Sequence, residues 1–251
     1  TLAMSILPEE IPVAFTTFMA LGSRRLMQHG VIVKKIRTVE ALGSATVICS
    51  DTTGTITENK MILEAVYTFE DNAIFEDKDW NKHDSIKRLI NYAMWSSEPV
   101  PFDPMEIEIH QVYEKLMDKD LRRDYTMFHE YPLDGKPPMM THVFQNNEGE
   151  RIIAAKGAPE AILHVSDLTD DNKKTIQDQV QKLATKGYRI LGVAYSDFKG
   201  SNFPPRQQDL SFHFVGLIAF YDPPKDNISE VFAQFYKAGV DVKVVTGDNL
   251  I

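Results

Sequence analysis

The sequence has almost no cysteine and no excess of basic residues. Its single cysteine, Cys49, excludes an internal disulfide and a cysteine metal cluster, and it fits a reducing, cytosolic environment. The formal net charge of −9 argues against a protein that binds nucleic acid through a basic surface, so we expect no nucleic-acid partner. The seven histidines are scattered without metal-ligand spacing, and we expect each to be an ordinary surface or core residue.

The first 22 residues form an apolar run that is interrupted by two acids, Glu9 and Glu10. The length suits a membrane helix, but each carboxylate at mid-span would cost about 2.5–3.5 kcal/mol unless a ligand binds it. Pro8 and Pro12 flank the acids and weaken helical hydrogen bonding there. The segment is therefore either a broken membrane helix with acidic ion ligands or a buried or amphipathic helix with a polar kink. Basic residues follow the run and indicate a cytoplasmic exit.

The rest of the chain predicts an α/β domain interrupted by a large insertion. The β-rich run 46–50 is typical of a buried parallel strand, and a helix–strand unit of the same style reappears near residue 245. Between them, roughly from 64 to 220, the pattern is α+β. There we predict a hairpin of strands 139–145 and 151–156 around Asn-Asn-Glu-Gly, and a helix capped by Thr169 and ended by Gly187.

Asp51 directly follows the first of these strands and precedes a loop of threonines and glycine. Such a loop offers backbone N–H groups and hydroxyls to phosphate oxygens, and the carboxylate can attack a terminal phosphoryl group. The alternative is a turn in which Asp51 and the threonines bind only local backbone. A second strand exit, Thr246-Gly247-Asp248, would hold the same phosphate or its Mg²⁺, although it also suits a helix cap.

Lys156 and Gly157 follow a predicted strand and precede Ala-Pro-Glu. The lysine is a compact charge for phosphate or purine recognition, and the glycine would permit close approach of a ligand. The other interpretation is an ordinary helix start with Pro159 in its first turn and a solvated lysine.

Taken together and in order, these motifs resemble those of the P-type cation-transporting ATPases. The resemblance runs essentially from end to end of the chain. The segments that carry it are Pro8-Glu9-Glu10-Ile11-Pro12, Asp51-Thr52-Thr53-Gly54-Thr55-Ile56-Thr57, Phe102-Asp103-Pro104-Met105-Glu106, Tyr131 to Lys136, Lys156-Gly157-Ala158-Pro159-Glu160, Arg189, Asp222-Pro223-Pro224-Lys225 and Thr246-Gly247-Asp248-Asn249.

The resemblance implies a fold and a division of the chain. The fold is α/β, a haloacid-dehalogenase-like phosphorylation domain interrupted by an α+β nucleotide-binding domain and preceded by a transmembrane helix segment. The implied parts are the helix segment with its ion-site break at 1–28, the phosphorylation domain at 29–62 and again at 222–251, and the nucleotide-binding domain at 63–221. The chain would be a fragment of an integral membrane protein, with its catalytic portion in the cytoplasm.

The resemblance also implies an activity, ATP-driven cation transport through an aspartyl-phosphate. Asp51 would be phosphorylated, Asp51 and Thr53 would hold Mg²⁺, and Glu9 would bind the transported cation. The partners would be ATP, Mg²⁺, membrane lipid around the N-terminal segment, the actuator domain and the other helices of the pump. The phosphoryl group would also contact Thr246, Gly247 and Asp248, and the nucleotide would contact Glu106, Tyr131, Lys136, Lys156, Gly157, Arg189 and Asp222.

Positions 52 and 131 depart from the family pattern, with tyrosine in place of phenylalanine at 131, and position 53 differs from related phosphatases. Thr52 replaces a lysine, which removes a cation beside the phosphates. Thr53 stands where related phosphatases carry an acid catalyst, and this favours a persistent phosphoenzyme. A nucleotide-binding module or degenerate pump without turnover, and a soluble phosphatase, are the alternatives. Carboxylate ligands and the lack of Cys-Pro-Cys favour Ca²⁺ as the transported ion.

Overall fold

The structure, a computed structural model, describes residues 10–35, 37–76 and 79–245. Seven α-helices and nine strands lie within these ranges. The helices are α1 (Glu10–Gln28), α2 (Arg37–Gly43), α3 (Asp84–Trp95), α4 (Pro104–Leu116), α5 (Pro159–Val165), α6 (Asp170–Ala184) and α7 (Ile228–Lys237). The strands are β1 (Val47–Asp51), β2 (Ile62–Thr68), β3 (Ala73–Phe75), β4 (Tyr125–Asp134), β5 (Met139–Asn146), β6 (Arg151–Gly157), β7 (Arg189–Tyr195), β8 (His213–Tyr221) and β9 (Asp241–Val245).

The described residues form two compact units. The smaller contains residues up to 52 and those from 226 to 245, and the larger contains 53–225. The chain therefore leaves the smaller unit once and returns to it once, as expected for an insertion. The domain boundaries given above remain a prediction.

The smaller unit is built around two parallel strands. β1 pairs with β9 from Val47 opposite Asp241 to Asp51 opposite Val245. The parallel pairing confirms the predicted α/β style of this part. The predicted burial of β1 is wrong, because its residues alternate between exposed and half-buried. Within the described chain β1 and β9 form a two-stranded sheet, which is too small to enclose either strand.

Helix α1 is described from Glu10 to Gln28, and Pro12 lies within it. Pro8 and Glu9 lie outside the described residues, so the break expected between Pro8 and Pro12 remains a prediction. Among the helices described, none combines the length and the apolar character that crossing a bilayer requires.

The larger unit is an antiparallel sheet with helices on both faces. Its seven strands lie in the order β3-β2-β8-β7-β6-β5-β4. Helices α3 and α4 pack with one face around Trp95, Ile109 and Phe144. Helices α5 and α6 pack with the other face around Ile162, Leu183 and Phe212. Because neighbouring residues of a strand point to opposite faces, each strand here supplies both cores.

The local predictions for this unit are confirmed. Strands β5 and β6 form the expected hairpin, with Gln145 opposite Arg151, and Gly149 takes a positive φ of 85° in the turn. The side chain of Thr169 caps α6 by accepting a hydrogen bond from the N–H of Asn172 at 3.2 Å. Gly187 follows the helix with a positive φ of 76°. The mixed α/β class is also confirmed.

Candidate functional site

Asp51 is the last residue of β1 and is exposed. Its Oδ1 accepts a hydrogen bond from the N–H of Thr52 at 2.8 Å. The carboxyl ends of parallel strands are where open α/β sheets bind ligands, and the role of Asp51 there remains a prediction. The other predicted members of this site, Thr246, Gly247 and Asp248, lie outside the described residues, as does Glu9.

The loop after Asp51 turns sharply at Thr53 and Gly54. Thr53 has φ −71° and ψ 123°, and Gly54 has φ 74° and ψ −11°. These are the dihedral angles of the two central residues of a type II turn, whose second position requires a positive φ and so favours glycine. The Nη2 of Arg189, at the start of β7, donates a hydrogen bond to the Oγ1 of Thr53 at 2.9 Å. An arginine of the sheet thus contacts the loop two residues after Asp51 in the chain.

Two chain segments run side by side at the base of the larger unit, and we call residues 54–60 and 222–225 the double connection. The backbone N–H of Glu58 donates to Pro223 O, and that of Lys225 donates to Ile56 O, both at 2.9 Å. Asp222 clamps the pair, because its carboxylate accepts from Thr57 Oγ1 at 2.6 Å and from the N–H of Lys60 at 3.0 Å.

Lys225 adds a further link within the double connection, since its Nζ donates to Gly54 O at 2.9 Å. Both carboxylate oxygens of Asp222 accept hydrogen bonds from residues 57–60 and hold the two segments together. The predicted contact of Asp222 with the nucleotide remains a prediction.

Lys156 and Glu106 form a buried ion pair in the larger unit. Lys156 is 4% exposed and Glu106 is 5% exposed, and Lys156 Nζ lies 2.6 Å from Glu106 Oε1. Lys156 Nζ also donates to Ser96 O at 2.6 Å and to Ser97 Oγ at 3.1 Å. Three acceptors thus satisfy the ammonium, which a buried charge requires. The resemblance places both residues among those that contact the nucleotide, and the structure brings them into contact with each other.

Three elements position this pair. Strand β6 supplies Lys156, the first turn of α4 supplies Glu106, and the end of α3 supplies Ser96 O. Asp103 caps α4 by accepting from the N–H of Met105 at 2.9 Å. A helix carbonyl end favours a cation and a helix amino end favours an anion, so both dipoles support the pair.

Burial lowers the pKa of Lys156, and the charge of Glu106 opposes that shift. Burial also lowers the pKa of the neighbouring His110 imidazole, and the positive charge of Arg122 adds to the effect. The surroundings of Lys156 and His110 therefore disfavour the protonated forms of both side chains. The negative charge of Glu106 offsets this effect at Lys156.

Tyr131, Lys136 and Gly157 are not gathered around this pair. Tyr131 pairs with Thr141 of β5, and Thr141 pairs with Ala155 of β6, so these three side chains share one face of the sheet. Lys156 is the next residue after Ala155 and therefore points to the other face. Its hydroxyl donates to Pro204 O at 2.6 Å. Lys136 is exposed in the turn after β4.

Gly157 has a packing role in the sheet. A Cβ at this position would lie 2.5 Å from Pro138 O and 2.6 Å from Met139 Cα. The close approach that requires glycine is therefore that of a neighbouring strand. The approach of a ligand to this glycine remains a prediction.

The family model and the similar proteins that match this chain all belong to one family. The family model described as P-type ATPase, cytoplasmic domain N, matches residues 103–227. A calcium-transporting ATPase of Bacillus cereus is 29% identical over 268 aligned residues, covering 99% of this chain. The chain belongs to the P-type ATPases.

The P-type ATPases similar to this chain differ in the ion named for them. A sodium/potassium exporting P-type ATPase of Schizosaccharomyces pombe is 28% identical, and a probable proton ATPase of Leishmania donovani is 32% identical, each over 99% of this chain. The chain spans 30% of the Bacillus and Schizosaccharomyces proteins and 24% of the Leishmania protein.

Sequence reasoning missed several residues around the Lys156–Glu106 pair. Ser96 and Ser97 contact Lys156, and Glu98 donates its N–H to Glu106 Oε2 at 3.4 Å. His142 is fully buried beside them, with its Nδ1 3.0 Å from Ser97 O. The one available signal was position, since Ser-Ser-Glu directly follows a predicted helix whose carbonyl end attracts a cation.

Proposed function

We propose that the protein carrying this chain is an ATP-driven cation pump in which Asp51 is phosphorylated. The observation that carries the proposal is the hydrogen bond from Arg189 to Thr53, because it links the sheet of the nucleotide-binding unit to the loop that follows Asp51. An arginine at that position is suited to bind phosphate oxygens with its planar fork of donors.

In this proposal ATP binds on the side of the sheet where Lys156 of β6 meets Glu106 of α4. Their buried pair supplies one donor group and one acceptor group at fixed positions. A nucleotide would exchange some of the contacts of Lys156 for its own polar atoms, so the charge would stay compensated. Arg189 would bind the phosphates. Tyr131, Lys136, Gly157 and Asp222 stay candidates from sequence alone.

Phosphoryl transfer follows from the position of Asp51. A carboxylate oxygen attacks the γ-phosphorus, the bond from that phosphorus to the bridging oxygen breaks, and ADP leaves. Asp51 and Thr53 offer hard oxygen atoms, which are the ligands Mg²⁺ prefers, and the ion would neutralise charge on the phosphates. Thr246, Gly247 and Asp248 complete the proposed site.

The transported ion is Ca²⁺ in this proposal, bound by Glu9 within a membrane segment at residues 1–28. The phosphorylation domain is haloacid-dehalogenase-like, formed by 29–62 and 222–251, and the nucleotide-binding domain is 63–221. In this proposal the protein is an integral membrane protein with its catalytic portion in the cytoplasm. An actuator domain and further membrane helices belong to the same pump. The Bacillus relative named for calcium supports the choice of ion.

Incubation of the full-length protein with γ-labelled ATP tests the proposal. We expect acid-stable, hydroxylamine-sensitive label that depends on Ca²⁺, and we expect none in Asp51→Asn. Glu9→Gln should raise the Ca²⁺ concentration needed for labelling. Label that persists in Asp51→Asn would refute the phosphorylation site, whereas labelling that ignores Ca²⁺ would refute only the ion.

A nucleotide-binding protein without turnover is the second candidate, and position 52 favours it. Thr52 carries no positive charge, and its hydroxyl donates to Val245 O at 3.5 Å. The phosphates would lack a cation at this point, which weakens transition-state stabilisation. ATP binding by calorimetry without any phosphoenzyme in the full-length protein would favour this candidate. Thr52→Lys should then restore labelling.

A further inference from the structure

A buried histidine in β5 has one ring nitrogen that the fold leaves unpaired. His142 is 0% exposed. Its Nδ1 lies 3.0 Å from Ser97 O, and since a carbonyl only accepts, Nδ1 carries the proton. In the neutral ring the lone pair is then on Nε2. Among the described residues, Nε2 has no hydrogen-bond partner although it is inaccessible to solvent. Such a group is costly in a folded protein unless a ligand satisfies it.

Two carboxylates lie next to this nitrogen. Glu98, in the segment after α3, places Oε1 3.9 Å from His142 Nε2. Glu130 lies opposite His142 on the edge strand β4, so the two side chains share one face of the sheet. One ligand atom from each of Glu98, Glu130 and His142 lies within 4.8 Å of the other two.

The charge around this group favours a cation. In the described chain no lysine or arginine forms an ion pair with Glu98 or Glu130. Lys156 is near, but Glu106 neutralises it at 2.6 Å. Two negative charges thus converge on a neutral imidazole.

We propose that Glu98, Glu130 and His142 bind a first-row transition-metal dication, with Zn²⁺ as the fitting example. Imidazole nitrogen with carboxylate oxygen suits Zn²⁺, Co²⁺ or Ni²⁺ and is a poor set for Ca²⁺ or Mg²⁺. Three protein ligands leave a fourth position for water.

The geometry requires only a small adjustment. Tetrahedral Zn²⁺ has ligands at roughly 2.0–2.2 Å, which places neighbouring ligand atoms about 3.4 Å apart. The 3.9 Å between His142 and Glu98 closes to this value by a modest side-chain rotation. Glu98 is half-buried and Glu130 is exposed, so both have room to move.

The surroundings of His142 match those of known metal-binding histidines. Such a histidine usually donates its other ring N–H to a carbonyl or carboxylate, which fixes the tautomer and the ring. Ser97 O has this role here. Burial lowers the pKa of His142, and the charge of Lys156 adds to the shift.

The metal would join three parts of the larger unit, namely the edge strand β4, strand β5 and the segment after α3. It would therefore stabilise the edge of the sheet beside the Lys156–Glu106 pair. This inference concerns Zn²⁺ alone, without nucleotide, and does not rest on the proposed pump activity.

Titration calorimetry with Zn²⁺, and the visible absorption of bound Co²⁺, test the site in the full-length protein. The key variant is Glu130→Gln, because the residue is exposed and its replacement leaves the core intact. We expect Zn²⁺ binding at this site to weaken at least about tenfold, because loss of even an outer-shell partner of a metal site costs about 10–100-fold. Glu148→Gln, an exposed carboxylate in the β5–β6 turn, is the matched control and should bind as the parent does.

His142→Gln should abolish the Co²⁺ absorption band, whereas His213→Gln should retain it. His213 is a useful control because it also lies beside a carboxylate, with Nε2 3.3 Å from Asp197. Excess Ca²⁺ should not displace the bound Co²⁺. Binding of Zn²⁺ that is unchanged in Glu130→Gln would overturn the proposal even if His142→Gln failed to fold.

Discussion

At the scale of single residues, burial separates two kinds of charged group in this chain. Asp51 is exposed at a strand end, where a ligand can reach it. Lys156 and Glu106 are buried, and each depends on the other for compensation of its charge. A substitution at Asp51 should therefore affect chemistry alone, whereas a substitution at Lys156 should affect folding as well.

Removal of either partner of the buried pair should be strongly destabilising. Lys156→Met leaves the Glu106 carboxylate buried and uncompensated, which costs about 3–5 kcal/mol. The double variant Lys156→Met with Glu106→Met should be less destabilised than the sum of the two single changes. Denaturant unfolding of the four proteins measures this coupling.

The exposed pair of Lys186 and Glu76 is the matched control, because both side chains are about half exposed. Lys186→Met should leave the unfolding midpoint nearly unchanged, since surface pairs contribute little. If the losses of stability in Lys156→Met and Glu106→Met simply add in the double variant, the claim that the two buried charges stabilise each other would be contradicted.

His110 should make the protein less stable in mild acid. Its folded-state pKa lies below the ordinary value of 6.5, chiefly because of burial and then because of Arg122, while Glu106 and Glu114 oppose the shift and Lys156 adds to it. Below pH 6.5 the unfolded chain therefore binds a proton that the folded chain does not, so stability falls with pH until the folded pKa is reached.

Unfolding midpoints of the parent and of His110→Gln between pH 7 and pH 5 measure this contribution. The parent should lose more stability than the variant over this interval. His83→Gln, at an N-cap position, is the control for general acid effects. Equal losses in the parent and in His110→Gln would contradict the assignment.

At the scale of elements, the double connection is the feature with the most specific geometry. Its two segments are bound to each other by backbone hydrogen bonds and by the Asp222 carboxylate. A paired connection of this kind restricts how the chain leaves and re-enters the larger unit. We expect it to influence phosphorylation more than nucleotide affinity.

Asp222→Ala should remove both side-chain hydrogen bonds and destabilise the larger unit by about 2 kcal/mol. The rate of phosphoenzyme formation should fall, while ATP affinity should change little because the carboxylate is already engaged by residues 57–60. Rapid-quench labelling and equilibrium nucleotide binding separate the two effects. Asp226→Ala is the control, because Asp226 is an exposed neighbour. A large loss of ATP affinity in Asp222→Ala would instead support direct contact of Asp222 with the nucleotide.

Gly157→Ala should destabilise the sheet without any change of charge. The new methyl group would overlap Pro138 O and Met139 Cα at 2.5–2.6 Å, and such overpacking costs about 1–3 kcal/mol. Gly43→Ala is the comparison, because a Cβ there meets no atom within 4 Å. Thermal unfolding measures both. A Gly157→Ala protein as stable as the parent would contradict the packing role.

Local elements were predictable where the sequence carries a strong local signal. The β5–β6 hairpin and the Thr169 cap depend on neighbouring residues, and both were predicted correctly. The face occupied by Tyr131 was not predictable, because it depends on the strand register that pairs Tyr131 with Thr141. The group of Glu98, Glu130 and His142 was missed for the same reason, since its members come from three separate parts of the chain.

At the scale of the whole molecule, the order of motifs predicted more than their spacing did. The P-type ATPase family and the mixed α/β class were both identified from sequence and are confirmed. The exposure of β1 was not anticipated, because burial depends on what surrounds a strand and not on its own residues. The arrangement of motifs along the chain thus carries information that no single motif provides.

The central claim is that the nucleotide's phosphate is transferred to Asp51. Reduction of the labelled full-length protein with borohydride converts an aspartyl-phosphate into homoserine, and peptide sequencing then locates it. The account predicts homoserine at position 51 only after incubation with ATP. Homoserine at another position, or none in protein that does incorporate label, would contradict it.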